Sequence, residues 1–131
     1  MIPKRLVRDM IDHARGEFPN EACGLLAARA GIATEYYGIA NVEASPVRYR
    51  MEPKEQLDAM LDMDERGFDL GAIYHSHTHT PAYPSTTDIR LASYPEPLYI
   101  IVSLARPSDP ELRGFRIVDG QVEEVPLAIQ D

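Results

Sequence analysis

Three of the chain's four histidines fall in one short stretch, Tyr74-His75-Ser76-His77-Thr78-His79, and an apolar run from Leu70 to Tyr74 leads into them. In a strand, residues two apart point to the same face, about 6.6–6.8 Å apart along the backbone. His75 and His77 can therefore turn both imidazoles toward one ion. A carboxylate from the next element, Asp88, completes a three-ligand set with an open fourth position, the arrangement of catalytic zinc. Ser85-Thr86-Thr87-Asp88 also reads as a helix start, with Ser85 capping and Asp88 in the first turn at the favourable end of the helix dipole. The two roles are compatible, because a first-turn Asp can still face a metal. Thr80-Pro81 turns the chain before His79 can join that face, so His79 is expected to stay out of the set.

Other histidine chemistries fit less well. The chain has no His-Glu-x-x-His, the helix-borne pattern of one zinc protease class. Its single cysteine, Cys23, cannot supply the Pro-Cys-x-x-Cys of zinc deaminases. An amidohydrolase barrel also carries His-x-His at a strand end but takes about 250 residues, twice what is present. A non-haem iron oxygenase uses the same two-His, one-carboxylate ligands and stays open at this level.

The elements that must position these residues follow from periodicity. Leu6, Val7, Met10, Ile11 and Ala14 share one face of a helix over residues 3–17, with Pro3 suited to its first turn. On that helix His13 is expected at the surface or half-buried. Phe18-Pro19-Asn20 breaks it. The run 21–28 then lacks alternation, as a strand buried on both faces does, and Gly24 within it points to close backbone packing. A second strand over 33–40 pairs with it through a turn near Gly31, and 47–51 is a candidate third. Glu52-Pro53 opens another helix, with Leu57, Met60 and Leu61 as its apolar stripe and Gly67 at its close. After the histidine strand come a loop, a short helix over 85–93, a strong strand over 98–104, and a hairpin of 112–118 with 122–127 joined by Asp119-Gly120. The sum is one α/β domain over 1–131, a mixed sheet with helices against it.

Composition narrows the function. At 131 residues, 44% hydrophobic and 26% charged, the chain is an ordinary globular protein. Its net charge of −8 argues against nucleic acid or an anionic membrane as partner, since both need a basic surface. No apolar run approaches the roughly 18 residues of a membrane span, and the start lacks the apolar core of a signal peptide. Lone Cys23 excludes a disulfide framework and suits a cytoplasmic protein; its neighbours mark it as a small buried residue.

His75-Ser76-His77, seven residues, Ser85, two residues and Asp88, with an upstream acid at Glu21, resembles the motif of the JAMM (MPN+) metalloprotease family. The likeness spans nearly the whole element order. Pro19-Asn20-Glu21-Ala22-Cys23-Gly24, Tyr74 before the histidines, and Ala82-Tyr83-Pro84-Ser85 resemble a prokaryotic branch similar to the actinobacterial sulfur-carrier-protein–cysteine peptidases. The resemblance implies a single JAMM/MPN domain with a cytidine-deaminase-like curved mixed sheet flanked by helices. It further implies one Zn2+ per chain on His75, His77 and Asp88, with water as the fourth ligand. Glu21 would be general base and proton shuttle, and Ser85 would help stabilise the oxyanion. The implied substrate is a ubiquitin-like sulfur-carrier protein with a Gly-Gly tail, cut to release an amino acid such as cysteine. Glu17 competes with Glu21 for the role of base but sits on a polar helix face.

The chain departs from the eukaryotic deubiquitinase pattern at Thr78, where those enzymes usually carry Pro, and it is too short for their ubiquitin-gripping insertions. Three readings follow: a peptidase acting on a carrier–cysteine adduct, a zinc hydrolase of the same fold acting on another conjugate or peptide, and a non-catalytic scaffold. The intact ligand set speaks against the scaffold. Nothing in the sequence sets the oligomeric state, and a homodimer is compatible with it.

Overall fold

A computed structural model describes residues 1–130. The elements run β1 (Ile2–Pro3), α1 (Lys4–Glu17), β2 (Cys23–Arg29), β3 (Ile32–Ile39), α2 (Pro53–Glu65), β4 (Asp69–His77), α3 (Thr86–Leu91), β5 (Leu98–Ser103), β6 (Glu111–Val118), β7 (Gln121–Val125) and β8 (Ile129–Gln130). Six strands form one sheet in the order β3-β2-β4-β5-β6-β7, and β1 pairs separately with β8. Within the large sheet β4 and β5 are parallel and every other neighbouring pair is antiparallel. This is the expected mixed α/β sheet flanked by helices.

Strand alternation sorts the core into two layers. Leu6, Met10 and Ala14 of α1 pack with Leu26, Tyr74, Ile100 and Val102 on one face of the sheet. On the other face Cys23, Leu25, Ile73, Tyr99 and Ile101 pack with Ala59 and Met63 of α2. The central strands are thus buried on both sides, which is why β2 and β5 read as unbroken apolar runs. Gly24 meets its expectation: a Cβ there would lie 2.5 Å from the Tyr37 carbonyl oxygen. At the β6–β7 turn, Asp119 (φ 50) and Gly120 (φ 77) take the positive φ angles that a two-residue hairpin turn needs.

Three expectations need correction. Residues 47–51 are not a strand; the segment is held by one bridge, Asn41 to Met51. The apolar stripe of α2 is not buried either: Leu57 and Leu61 are each 56% exposed, while Ala59 and Met63 face the core and Met60 is half-buried. Small Ala59 lets the helix lie close on the sheet, and Met63 fills the gap beside it. The third helix is shorter than 85–93, because Ser85 is its cap and Ala92 its end. The β1–β8 pair was not anticipated; two-residue strands carry no periodicity to read.

Candidate metal centre

His75 and His77 share the parity of Ile73, so they emerge on the α2 face at the C-terminal end of β4. Because β4 and β5 run in parallel, the chain must cross back between them. That crossover carries α3 and with it Asp88. Ser85 and Asp88 form a full capping box: Asp88 N–H donates to Ser85 Oγ at 3.0 Å, and Ser85 N–H donates to Asp88 Oδ2 at 2.9 Å. The capping reading of Asp88 holds, and its carboxylate at the same time faces both imidazoles. The same Oδ2 lies 3.1 Å from His75 Nε2 and 2.9 Å from His77 Nε2, and the two Nε2 atoms are 3.2 Å apart.

The donor chemistry of this trio fits a cation. His77 Nδ1 lies 2.9 Å from the Pro81 carbonyl oxygen, so it carries the proton and leaves the Nε2 lone pair pointing inward. A neutral His75 whose Nδ1 is protonated likewise presents a lone pair at Nε2. That Nδ1 is buried and has no hydrogen-bond partner among the described residues. Its ring is held instead by Tyr49, stacked at 4.6 Å and 24°. Two lone pairs and one carboxylate oxygen converging within 4.8 Å need a positive charge between them. The proton affinities show the tension. Burial pulls His75 down. Burial also pulls at His77, yet Asp88 and the Pro81 carbonyl together hold it above its ordinary value. Burial would raise Asp88, but the two imidazoles hold it well below the usual carboxylate range.

Glu21 sits one residue before Ala22 at the mouth of β2 and is 4% exposed. Its backbone is fixed on three sides. Glu21 N–H donates to the Ser45 carbonyl oxygen, Asn41 Nδ2 donates to the Glu21 carbonyl oxygen, and the next residue is bound to β4. There Ala22 N–H donates to Ser76 Oγ and Ser76 N–H donates to the Ala22 carbonyl oxygen. The residue between the two histidines thus registers the acid against them. Glu21 Oε1 is buried without a partner among the described residues. Burial, with Asp88 adding to it and His77 opposing, pushes Glu21 up to about 8. Glu17, by contrast, is exposed beside His13.

His79 stays out of the trio, as expected: it is exposed, its Nδ1 meets Thr78 Oγ1, and its ring lies against Phe18. Cys23 is fully buried, its thiol pushed up to about 12, and so it is unreactive. Tyr49 and Asn41 escaped sequence reasoning because both lie in the irregular 40–52 loop, where no period marks them. Ser76 could have been suspected as a small polar residue buried between two candidate ligands. A groove of about 210 Å³, lined by Tyr49, Met51, Ile73, Leu91 and Tyr94, opens beside Asp88.

The chain is similar to known proteins over nearly its whole length. Residues 3–118 match the model of prokaryotic homologs of the JAB domain. The chain is 44% identical over 126 residues to the CysO-cysteine peptidase of Mycobacterium tuberculosis, covering 95% of this chain and 86% of that protein. It is 36% identical over 128 residues to the desampylase of Haloferax volcanii, covering 92% and 89%. A protein of Desulfitobacterium hafniense with a solution structure superposes at a TM-score of 0.89, with 39% identity, over 100% of this chain and 94% of that one.

Proposed function

The chain belongs to the prokaryotic JAB-domain family and is a JAMM-type peptidase, and we propose that it hydrolyses the bond after the C-terminal Gly-Gly of a ubiquitin-like sulfur-carrier protein, releasing cysteine from a carrier–cysteine adduct. The observation that carries this reading is the convergence of His75 Nε2, His77 Nε2 and Asp88 Oδ2 beside the buried, unpartnered Oε1 of Glu21. In this reading the three converging atoms hold one Zn2+ per chain. Bound there with a water, zinc supplies a Lewis acid and lowers that water's pKa from 15.7 to about 7.

The protein's own groups do the rest. Glu21, ionised once a cation offsets its burial, takes a proton from the attacking water and passes it to the leaving amine. The Ser85 hydroxyl accepts from Asp88 N–H and so keeps its own hydrogen to donate to the developing oxyanion. Pro81 and Tyr49 hold the two imidazoles in place. The groove beside Asp88 takes the carrier's extended tail, lying along the 48–51 segment as an added strand. Glycines pass where side chains would meet the groove wall.

The names of two relatives, CysO-cysteine peptidase and desampylase, support a carrier conjugate as substrate class. The whole chain, 1–131, is read as this one domain. A lone buried thiol accords with a cytoplasmic setting, and among the described residues no helix is long and apolar enough to cross a membrane. The test is a panel of Gly-Gly carrier conjugates, to cysteine, to other amino acids and to a protein lysine, with zinc content measured alongside. Wild type with one zinc should cut the cysteine adduct, and Glu21→Gln should keep zinc while losing about 10²–10⁴ in rate. Cleavage of only free dipeptides would sink the carrier reading, and a fully active Glu21→Gln would sink the base.

A further inference from the structure

The loop between β3 and α2, residues 40–52, carries no helix or strand, and a segment of that kind is ordinarily the mobile part of a domain. Yet it touches the candidate site at two separate places. The Ser45 carbonyl oxygen accepts from Glu21 N–H at 2.8 Å, and Tyr49 stacks on the ring of His75. One side chain ties these places together. Asn41 Nδ2 donates to the carbonyl oxygens of Glu21 and Arg48, each at 3.1 Å, and its Oδ1 accepts from Glu43 N–H and Arg50 N–H, each at 3.0 Å. A carboxamide has two donor hydrogens and two acceptor lone pairs, so every one of them is used. The partners also fix which way the amide points, since carbonyls face its nitrogen and N–H groups face its oxygen.

A staple for the loop alone would need only the bonds to Glu43, Arg48 and Arg50. Arg48 and Arg50 bracket Tyr49, so holding the carbonyl of one and the N–H of the other fixes the direction in which the Tyr49 ring leaves the backbone. The fourth bond leaves the loop for Glu21. The peptide unit that joins Glu21 to Ala22 is thereby held at both ends by side chains, its carbonyl by Asn41 and its N–H by Ser76 Oγ at 2.8 Å. We propose that Asn41 is a positioning residue for hydrolysis, its carboxamide holding Glu21 and the ring stacked on His75 in one register. The proposal rests on the reading of Glu21 as the base. Asn41 itself touches neither metal nor substrate, and it acts by placement. Placement is enough to matter, because a shift of about 1 Å at the reacting groups can cost about 100-fold in rate.

The experiment uses two substitutions. Asn41→Asp keeps the acceptor side of the amide but turns a carboxylate oxygen toward the Glu21 and Arg48 carbonyls. Asn41→Ser can still bond Glu43 N–H through its hydroxyl, as a Ser turn does, but is too short to reach both carbonyls. Melting temperatures show which variants fold. On a carrier–cysteine conjugate at saturating zinc, each should lower kcat about 100-fold and leave KM unchanged. Added to Glu21→Gln, each should cost no more than about twofold further, because the base it acts through is already gone. The zinc arm needs no substrate. Titration against a competing chelator should show affinity about tenfold weaker in each variant, with no further loss where Tyr49→Ala is already present. Wild-type kcat in a folded variant would overturn the proposal. So would the same rate loss repeated in the Glu21→Gln background, zinc losses that add to that of Tyr49→Ala, or failure of both variants to fold, which would make Asn41 a staple of the fold alone. A Glu21→Gln enzyme as active as wild type would instead refute the base reading, whereas wild-type kcat in the Asn41 variants beside an inactive Glu21→Gln refutes this proposal alone.

Discussion

Two histidine clusters lie on opposite faces of one sheet, and they are built on opposite principles. On the α1 face His13 hydrogen-bonds Tyr36 through Nδ1, its Nε2 lies 3.8 Å from Glu17, and its ring rests against Tyr36 and Tyr74. Tyr74 in turn donates to the Met10 carbonyl oxygen at 2.9 Å. Each polar tip there has a complementary partner. On the α2 face His75, His77 and Asp88 aim acceptor atoms at one another, and His75 Nδ1 and Glu21 Oε1 have no partner among the described residues. Both clusters contain histidine, tyrosine and carboxylate, so residue type does not separate them. Satisfaction does: a closed network holds a fold together, and an open one is poised for something that is not protein.

Breaking the open cluster should have the largest effect. Asp88→Ala removes a candidate ligand and the side-chain half of the capping box together, so zinc affinity should fall by more than about 100-fold, beyond the loss of an outer partner, with activity lost as well. Zinc titration against a competing chelator reads the first effect; tight zinc binding by the variant would reduce Asp88 to a cap. A middle-sized effect belongs to Tyr49, whose ring stacks on the face of His75 and holds an imidazole whose Nδ1 has no partner among the described residues. Tyr49→Ala should weaken zinc about tenfold, while Tyr49→Phe, which keeps the stacking ring, should leave it unchanged in the same titration. If Phe were as weak as Ala, the hydroxyl and not the stack would be at work. The smallest effect is expected at the closed cluster. His13→Ala should cost about 1–2 kcal/mol of stability by stripping Tyr36 of its partner, read by denaturant unfolding, with zinc affinity untouched. A shift in zinc affinity there would erase the distinction between the two faces.

How much of this could be read from the sequence depends on whether a residue belongs to a repeating pattern. The strand alternation that sends His75 and His77 to one face, the cap that starts α3, and the Asp119-Gly120 turn are all local, and each stands where spacing put it. The α2 stripe failed because helical period finds which residues share a face and cannot tell which face meets the sheet. Ala59 and Met63 recur on a helical face as regularly as Leu57 and Leu61. Size misled, since the smaller pair fits the close approach. Residues 47–51 failed for another reason. They find one bridge, Asn41 to Met51, in place of a ladder. Tyr49 became part of the site through that bridge and its stacking on His75, a contact 26 residues away in sequence that no periodicity marks.

The capping box has a consequence for how the centre can be watched. Asp88 Oδ2 closes the first turn of α3 by accepting from Ser85 N–H, and the same oxygen faces both imidazoles. Whatever pulls that oxygen toward the centre is felt at the helix start, and whatever frays the helix start loosens the centre. The amide of Asp88, bonded to Ser85 Oγ, and that of Ile89, bonded to the Ser85 carbonyl oxygen, therefore act as built-in reporters. Their exchange with solvent deuterium should slow when the ion enters and quicken when it leaves, so occupancy can be followed without substrate or turnover.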